Sequence, residues 1–167
     1  MATKNPDPSL ELSDLAGTAR TLDDWLTMFH LCLVVLPDRP AASEWRPVIN
    51  SIFSVFGDAD CTTAVCVTGN ASIARRILGD DVTRSLVFTD PDRALVRSLG
   101  LTHLPAFVHL RQDTTLVAAA EGWNPPEWQA VADGLGKAMS WSVPQIAGRL
   151  AKAPGPALTP GWEVVAP

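Results

Sequence analysis

Leu31-Cys32-Leu33-Val34-Val35-Leu36, closed by Pro37-Asp38, is the stretch on which the reading of this chain turns. Six apolar residues run without a polar break. A strand with one wet face alternates, whereas an unbroken apolar run of strand length stopped by a turn signal marks a strand covered on both faces. It is expected at the centre of a parallel sheet with helices above and below.

Downstream, Trp45, Val48, Ile49, Ile52, Phe53 and Phe56 recur at spacings of three and one, which defines a helix with one apolar side, stopped at Gly57. Pro47 falls in its first turns, where it either opens or kinks the helix because it has no amide hydrogen. Thr63 to Val67 reads as a second strand, and Asn70 caps a helix carrying Ile73, Ala74, Ile77 and Leu78 up to Gly79. Arg84 to Thr89 reads as a third strand. Asp90-Pro91 then supplies a cap with proline at the first helical position, and Gly100 closes that helix after Leu99. Pro105 to Leu110 and Thr115 to Ala120 form a hairpin, and Asn124-Pro125-Pro126-Glu127 opens a last helix with Trp128, Val131, Ala132, Leu135 and Met139 on one face. Upstream, Thr21-Leu22-Asp23-Asp24 caps a short helix with Trp25, Leu26 and Phe29 on its apolar side. The result is an α/β chain with a mixed sheet and helices on both faces.

The 167 residues suit one domain. With 47% apolar and 19% charged residues the chain folds, although its fourteen prolines gather toward the two ends. Three parts are expected: a disordered or extended start (1–9), a domain (10–139) and an irregular Pro-rich tail (140–167) holding Trp141 and Trp162. A net charge of -5 with no basic run argues against nucleic acid, and no apolar stretch spans a bilayer. The protein is expected in the cytoplasm. Cys32, Cys61 and Cys66 form no CxxC and no metal-ligand spacing, and no glycine-rich phosphate loop occurs, so neither cofactor nor metal is expected.

Three segments carry a resemblance: Leu10 to Gly17, then Phe88-Thr89-Asp90-Pro91-Asp92-Arg93-Ala94 with Leu99-Gly100-Leu101, then Thr102-His103-Leu104-Pro105. In this order they resemble the thioredoxin-like superfamily, in particular the TlpA-type thioredoxins and the AhpC/TSA-type peroxiredoxins, over about Leu10 to Met139. The resemblance implies a three-layer α/β/α sandwich and a cis peptide at Leu104-Pro105. It also identifies Pro47 as similar to the kink proline of the helix after the redox motif, which puts the family's two cysteines at Arg39 and Ala42. Leu22 to Thr27 is similar to the opening helix of the HyaE-type hydrogenase assembly proteins, which share the fold without the CxxC.

Neither a guanidinium nor a methyl group replaces a thiolate. The expectation is therefore a redox-inactive protein, not an enzyme, acting as adaptor, assembly factor or accessory subunit, with another protein such as a larger enzyme complex as partner and self-association as a further possibility. Its partner-binding residues are expected among Arg39, Pro40, Trp45, His103, Leu104, Pro105, Trp141 and Trp162. The alternative is an atypical thiol oxidoreductase or peroxidase using Cys61, placed in a loop. Cys32 and Cys66 read as inert core residues, which could lie close if they sit on adjacent central strands, although no bridge between them is expected. His103 with Arg39 and Asp38 forms a weaker acid-base candidate, more simply read as solvated loop residues.

Overall fold

The computed structural model describes residues 2–143 and 162–163. Seven strands form one mixed sheet in the order β2-β1-β5-β4-β3-β7-β8: β1 (Glu11–Asp14), β2 (Ala19–Thr21), β3 (His30–Leu36), β4 (Cys61–Val67), β5 (Leu86–Thr89), β7 (Ala106–Leu110) and β8 (Leu116–Glu121). The strands β3, β4 and β5 are parallel, while β7, β8, β1 and β2 extend the two sides antiparallel. As the apolar run requires, β3 is central, and Leu33, Val34, Val35 and Leu36 are wholly buried. Each such side chain contributes about 1.5–3 kcal/mol.

Alternate residues of β3 serve two cores. Cys32, Val34 and Leu36 pack with α2 (Arg46–Phe56), α3 (Ala71–Leu78) and α5 (Pro125–Ala138). Leu31, Leu33 and Val35 pack with α1 (Leu22–Trp25) and α4 (Ala94–Leu99) on the other side. The helices form where the sequence signals lie: Asn70 Oδ1 accepts from the Ile73 amide, and Asn124 Oδ1 from the Glu127 amide. Pro47 opens α2 within its first turn, after a 3-10 turn over Pro40–Trp45. The three-layer arrangement and the cis Leu104-Pro105 bond both match the expectation.

Local readings differ in four places. α1 is a single turn, and Phe29 lies beyond it, 41% exposed, instead of on an apolar helical side. α4 starts at Ala94 and not at Pro91, because Arg93 takes a left-handed conformation (φ 56°) after a turn. Asp90 still caps it from a distance, its Oδ2 accepting from the Leu95 and Val96 amides. β5 starts at Leu86 because a 3-10 turn over Gly79–Thr83 takes up the preceding chain. Cys61 is the first residue of β4 and not a loop residue, since the turn at Phe56 to Ala59 delivers the chain to the sheet earlier than the apolar pattern shows.

The amino-terminal segment lies along the domain in hydrogen bonds. The Lys4 amide donates to Leu99 O, Asn5 Oδ1 accepts from the Leu116 amide, and Pro6 is buried. Of the tail, Ser140 to Val143 and Trp162–Glu163 are described, and the remainder of that expectation lies outside the described residues. Trp162–Glu163 forms β9, which pairs antiparallel with β6 (His103–Leu104) in a separate two-stranded sheet.

Candidate functional site

The parallel strands β3, β4 and β5 deliver their carboxyl ends to one rim of the sheet, where open α/β sheets place their ligand crevices. Pro37 to Trp45 leaves β3 there, Thr68-Gly69 leaves β4, Asp90 leaves β5, and Pro105 enters β7 from the same side. The loop after β3 is held down at Asp38. Its amide donates to Thr68 Oγ1 at 3.1 Å, and its carboxylate receives the Arg93 guanidinium at 3.2 Å. Gly69 passes so close that an added Cβ would meet Asp38 Cβ at 3.0 Å and Ile73 Cγ2 at 3.1 Å, so a side chain here would have to push its neighbours aside. Burial pushes the Asp90 carboxyl above the usual range, against the pull of the α4 amides that it accepts from.

Below this loop, Trp45 meets Trp123 edge-on at 4.9 Å between ring centroids and Trp128 at 6.1 Å, and Trp123 meets Trp128 at 5.1 Å. Such contacts add about 0.5–1.5 kcal/mol each to the area buried. Trp128 Nε1 donates to Gly122 O at 2.8 Å, whereas Trp45 Nε1 is buried without a hydrogen-bond partner.

Beside the loop, β6 runs into Pro105. One carboxylate oxygen of Glu121, Oε1, accepts from the amides of Thr102 and His103 and from Thr102 Oγ1. The hydroxyl of Thr102 also lies 3.0 Å from His103 Nδ1. One side of this short strand is thus fixed from the end of β8, and its other edge pairs with β9, His103 opposite Glu163 and Leu104 opposite Trp162. Two backbone polar edges must each be satisfied when they leave water, and here a carboxylate serves one and an extended segment the other.

The residues singled out from the sequence separate into two groups. Arg39 and Pro40 are exposed in the loop, His103 is half-buried, Leu104 and Pro105 are buried at the rim, and Trp162 is backbone-paired beside them. Trp45 lies under the loop, 1% exposed, as a core residue. Trp141 is remote: its Nε1 donates to Val55 O near the far end of α2, at the opposite rim. Asp38 pairs with Arg93, and His103 with Thr102, so each has a local partner. Glu121 was missed by the sequence reading, which ended its strand at Ala120. A lone acid closing an apolar strand before a glycine was the available signal.

The sulfurs lie elsewhere. Cys32 and Cys66 are buried on opposite faces of the sheet and not close together, since Cys32 registers with Thr63 while Cys66 registers with Val35. Burial pushes both thiols well up. Cys61 registers with His30 at the rim opposite to the loop and is half-buried, and desolvation with the neighbouring Asp60 carries its thiol to about 11. Among the described residues no three His, Cys, Asp or Glu side chains are placed to hold a metal ion, and no helix is long and apolar enough to cross a membrane.

With this geometry the chain is similar to solved structures of thioredoxin fold. It superposes on a protein described as the thiol:disulfide interchange protein DsbE from Chlorobium tepidum with a TM-score of 0.67 at 15% identity, covering 83% of this chain and 99% of that one. The bacterioferritin comigratory protein of Xanthomonas campestris, described for its alkyl peroxide reduction activity, gives 0.66 at 16%, over 83% and 99% of the two chains. Peroxiredoxin Q of the same organism gives 0.62 at 16%, over 80% and 90%. No family model and no curated protein matches the sequence. At this identity the likeness shows the fold, which is thioredoxin-like. One expectation is corrected by it: that the chain is not an enzyme does not stand, because the structures sharing its fold across nearly their whole length are enzymes of thiol and peroxide chemistry by their own names.

Proposed function

We propose that the protein recognises another polypeptide in extended form along the outer edge of His103–Leu104, holding it as an adaptor or assembly factor does. The observation that carries this reading is the β6–β9 pair: a two-residue strand, standing outside the main sheet, that takes an extended segment antiparallel through its backbone. Strand addition of this kind draws its affinity from main-chain hydrogen bonds and its selectivity from the alternate side chains. Arg39 and Pro40 are exposed on the loop at the same rim, where the guanidinium gives such a segment a charged flank and the proline ring an apolar one.

Ten-residue peptides selected from a display library test it. Selected peptides are expected to bind the protein and to lose at least tenfold in affinity when their central backbone amides are N-methylated, because only a paired strand needs those hydrogens. Binding indifferent to N-methylation would overturn the reading.

A second reading, thiol oxidoreductase or peroxidase chemistry at Cys61, is favoured by the names of the structures that share the fold. Cys61 is the one cysteine of the three not fully buried. With its thiol near 11, about one molecule in ten thousand carries the thiolate at pH 7. Insulin reduction and peroxide turnover, each compared with Cys61→Ser, decide between the readings. Turnover abolished by that substitution would establish the second.

A further inference from the structure

We infer that the carboxy-terminal segment around Trp162–Glu163 is an internal competitor for the polypeptide edge, so that the chain as it stands is self-occluded and binds a partner by exchanging one strand for another. This rests on the strand-accepting reading above. The edge of His103–Leu104 is already taken, and by the chain itself: β9 occupies it in antiparallel register, Glu163 opposite His103 and Trp162 opposite Leu104. The occupant contributes nothing to the seven-stranded sheet, whose edges are β2 and β8. Losing it leaves the main sheet's pairings untouched. The opposite side of β6 is clamped independently by Glu121 through the Thr102 and His103 amides, so the edge keeps its shape when the segment leaves.

A tethered segment acts at an effective concentration of about 1 mM when its link lets it reach the site. A free peptide must compete with that concentration, so one of equal intrinsic affinity displaces the internal segment only above about 1 mM, and one of higher affinity does so below it. The register also names the chemistry of the displacing partner: an extended stretch with an acidic residue to stand opposite His103 and a large aromatic residue to stand opposite Leu104.

The test uses the full chain and a fluorescein-labelled peptide of residues 158–167, Leu-Thr-Pro-Gly-Trp-Glu-Val-Val-Ala-Pro. In Trp162→Pro/Glu163→Pro the two tail amides are gone and the internal segment no longer pairs. The expected result is at least tenfold tighter binding of the peptide to this variant than to the unaltered chain, with the urea midpoint unchanged. Equal binding to both would overturn self-occlusion while leaving the strand-accepting edge in place. Binding to neither would overturn the edge itself and the competition with it. Hydrogen exchange on the unaltered chain gives a second measurement that does not depend on the variant's folding. Backbone protection at Trp162–Glu163 should fall as saturating peptide is added. Unchanged protection with peptide bound, or no protection at the outset, would overturn the inference.

Discussion

The two rims of the same sheet solve the problem of buried polar groups in opposite ways. At the carboxyl ends of β3 to β5, each of three carboxylates meets a partner of the other kind: Asp38 meets Arg93 and the Thr68 hydroxyl, Asp90 meets the amides of α4, and Glu121 meets the amides of β6. At the opposite rim, His30 Nδ1 lies 2.9 Å from His109 Nε2, and His109 is wholly buried with its Nδ1 unpartnered. Two imidazoles of the same kind face each other there across a single nitrogen-to-nitrogen contact, beside the half-buried thiol of Cys61. A rim of complementary pairs holds its shape over a wide range of conditions and can offer a backbone edge to another chain. A rim of like groups is stable only while it stays neutral.

The largest effect is expected where the upper rim rests on its core. Trp45→Ala removes the ring shared by Trp123 and Trp128 beneath the loop after β3, and large aromatic truncations in cores cost about 3–5 kcal/mol. Urea unfolding monitored by circular dichroism should show a loss of that size. A loss below about 1 kcal/mol would mean that the loop is held by its polar pairs alone.

The lower rim should yield to acid. Burial, with the His30 and Arg111 charges beside it, lowers the His109 imidazole to about 4, from an ordinary value of 6.5. His30 is lowered too, burial first and Arg111 second. Because the unfolded chain takes up these protons more readily than the folded one, stability from this pair is complete above pH 6.5 and drains away as the pH falls toward 4. For His109 alone the loss between pH 7 and pH 4.5 is about 2 kcal/mol. His109→Gln should flatten that slope in urea titrations at the two pH values. An equally steep slope in the variant would move the acid sensitivity elsewhere in the molecule.

The same contrast explains what the sequence shows of the fold and the site. β3 is legible because burial on both faces leaves no polar break, and α3 and α5 are legible because their capping asparagines stand three residues before the amides they accept from. The rim is legible in part: Leu104-Pro105 marks a strand entry because proline has no hydrogen for a ladder. Each of the two most informative contacts has no local trace. The β6–β9 pair joins two residues to two others nearly sixty positions away, too short for any period to reveal. The His30–His109 contact follows from the register of β3 on β7, in which Leu31 stands opposite Leu110, and one step of slippage would turn His109 to the other face. α4 was misplaced for a related reason, since a left-handed Arg93 is a consequence of tertiary fit and not of its own preference.

Glu121 offers the finest discrimination between the rims, because its role is geometric. The amides of Thr102 and His103 need an acceptor, and Glu121 Oε1 supplies one from a half-buried position at the end of β8. Gln keeps a carbonyl oxygen at the same reach, so Glu121→Gln should cost no more than about 0.5 kcal/mol, whereas Glu121→Ala leaves the amides to water and should cost about 1 kcal/mol. Hydrogen exchange at Thr102 and His103 is the sharper readout, with faster exchange expected in the alanine variant and near-native exchange in the glutamine one. If glutamine behaves like alanine, the charge and not the acceptor shapes the upper rim, and a neutral partner set like that of the lower rim could not hold a strand edge open for another chain.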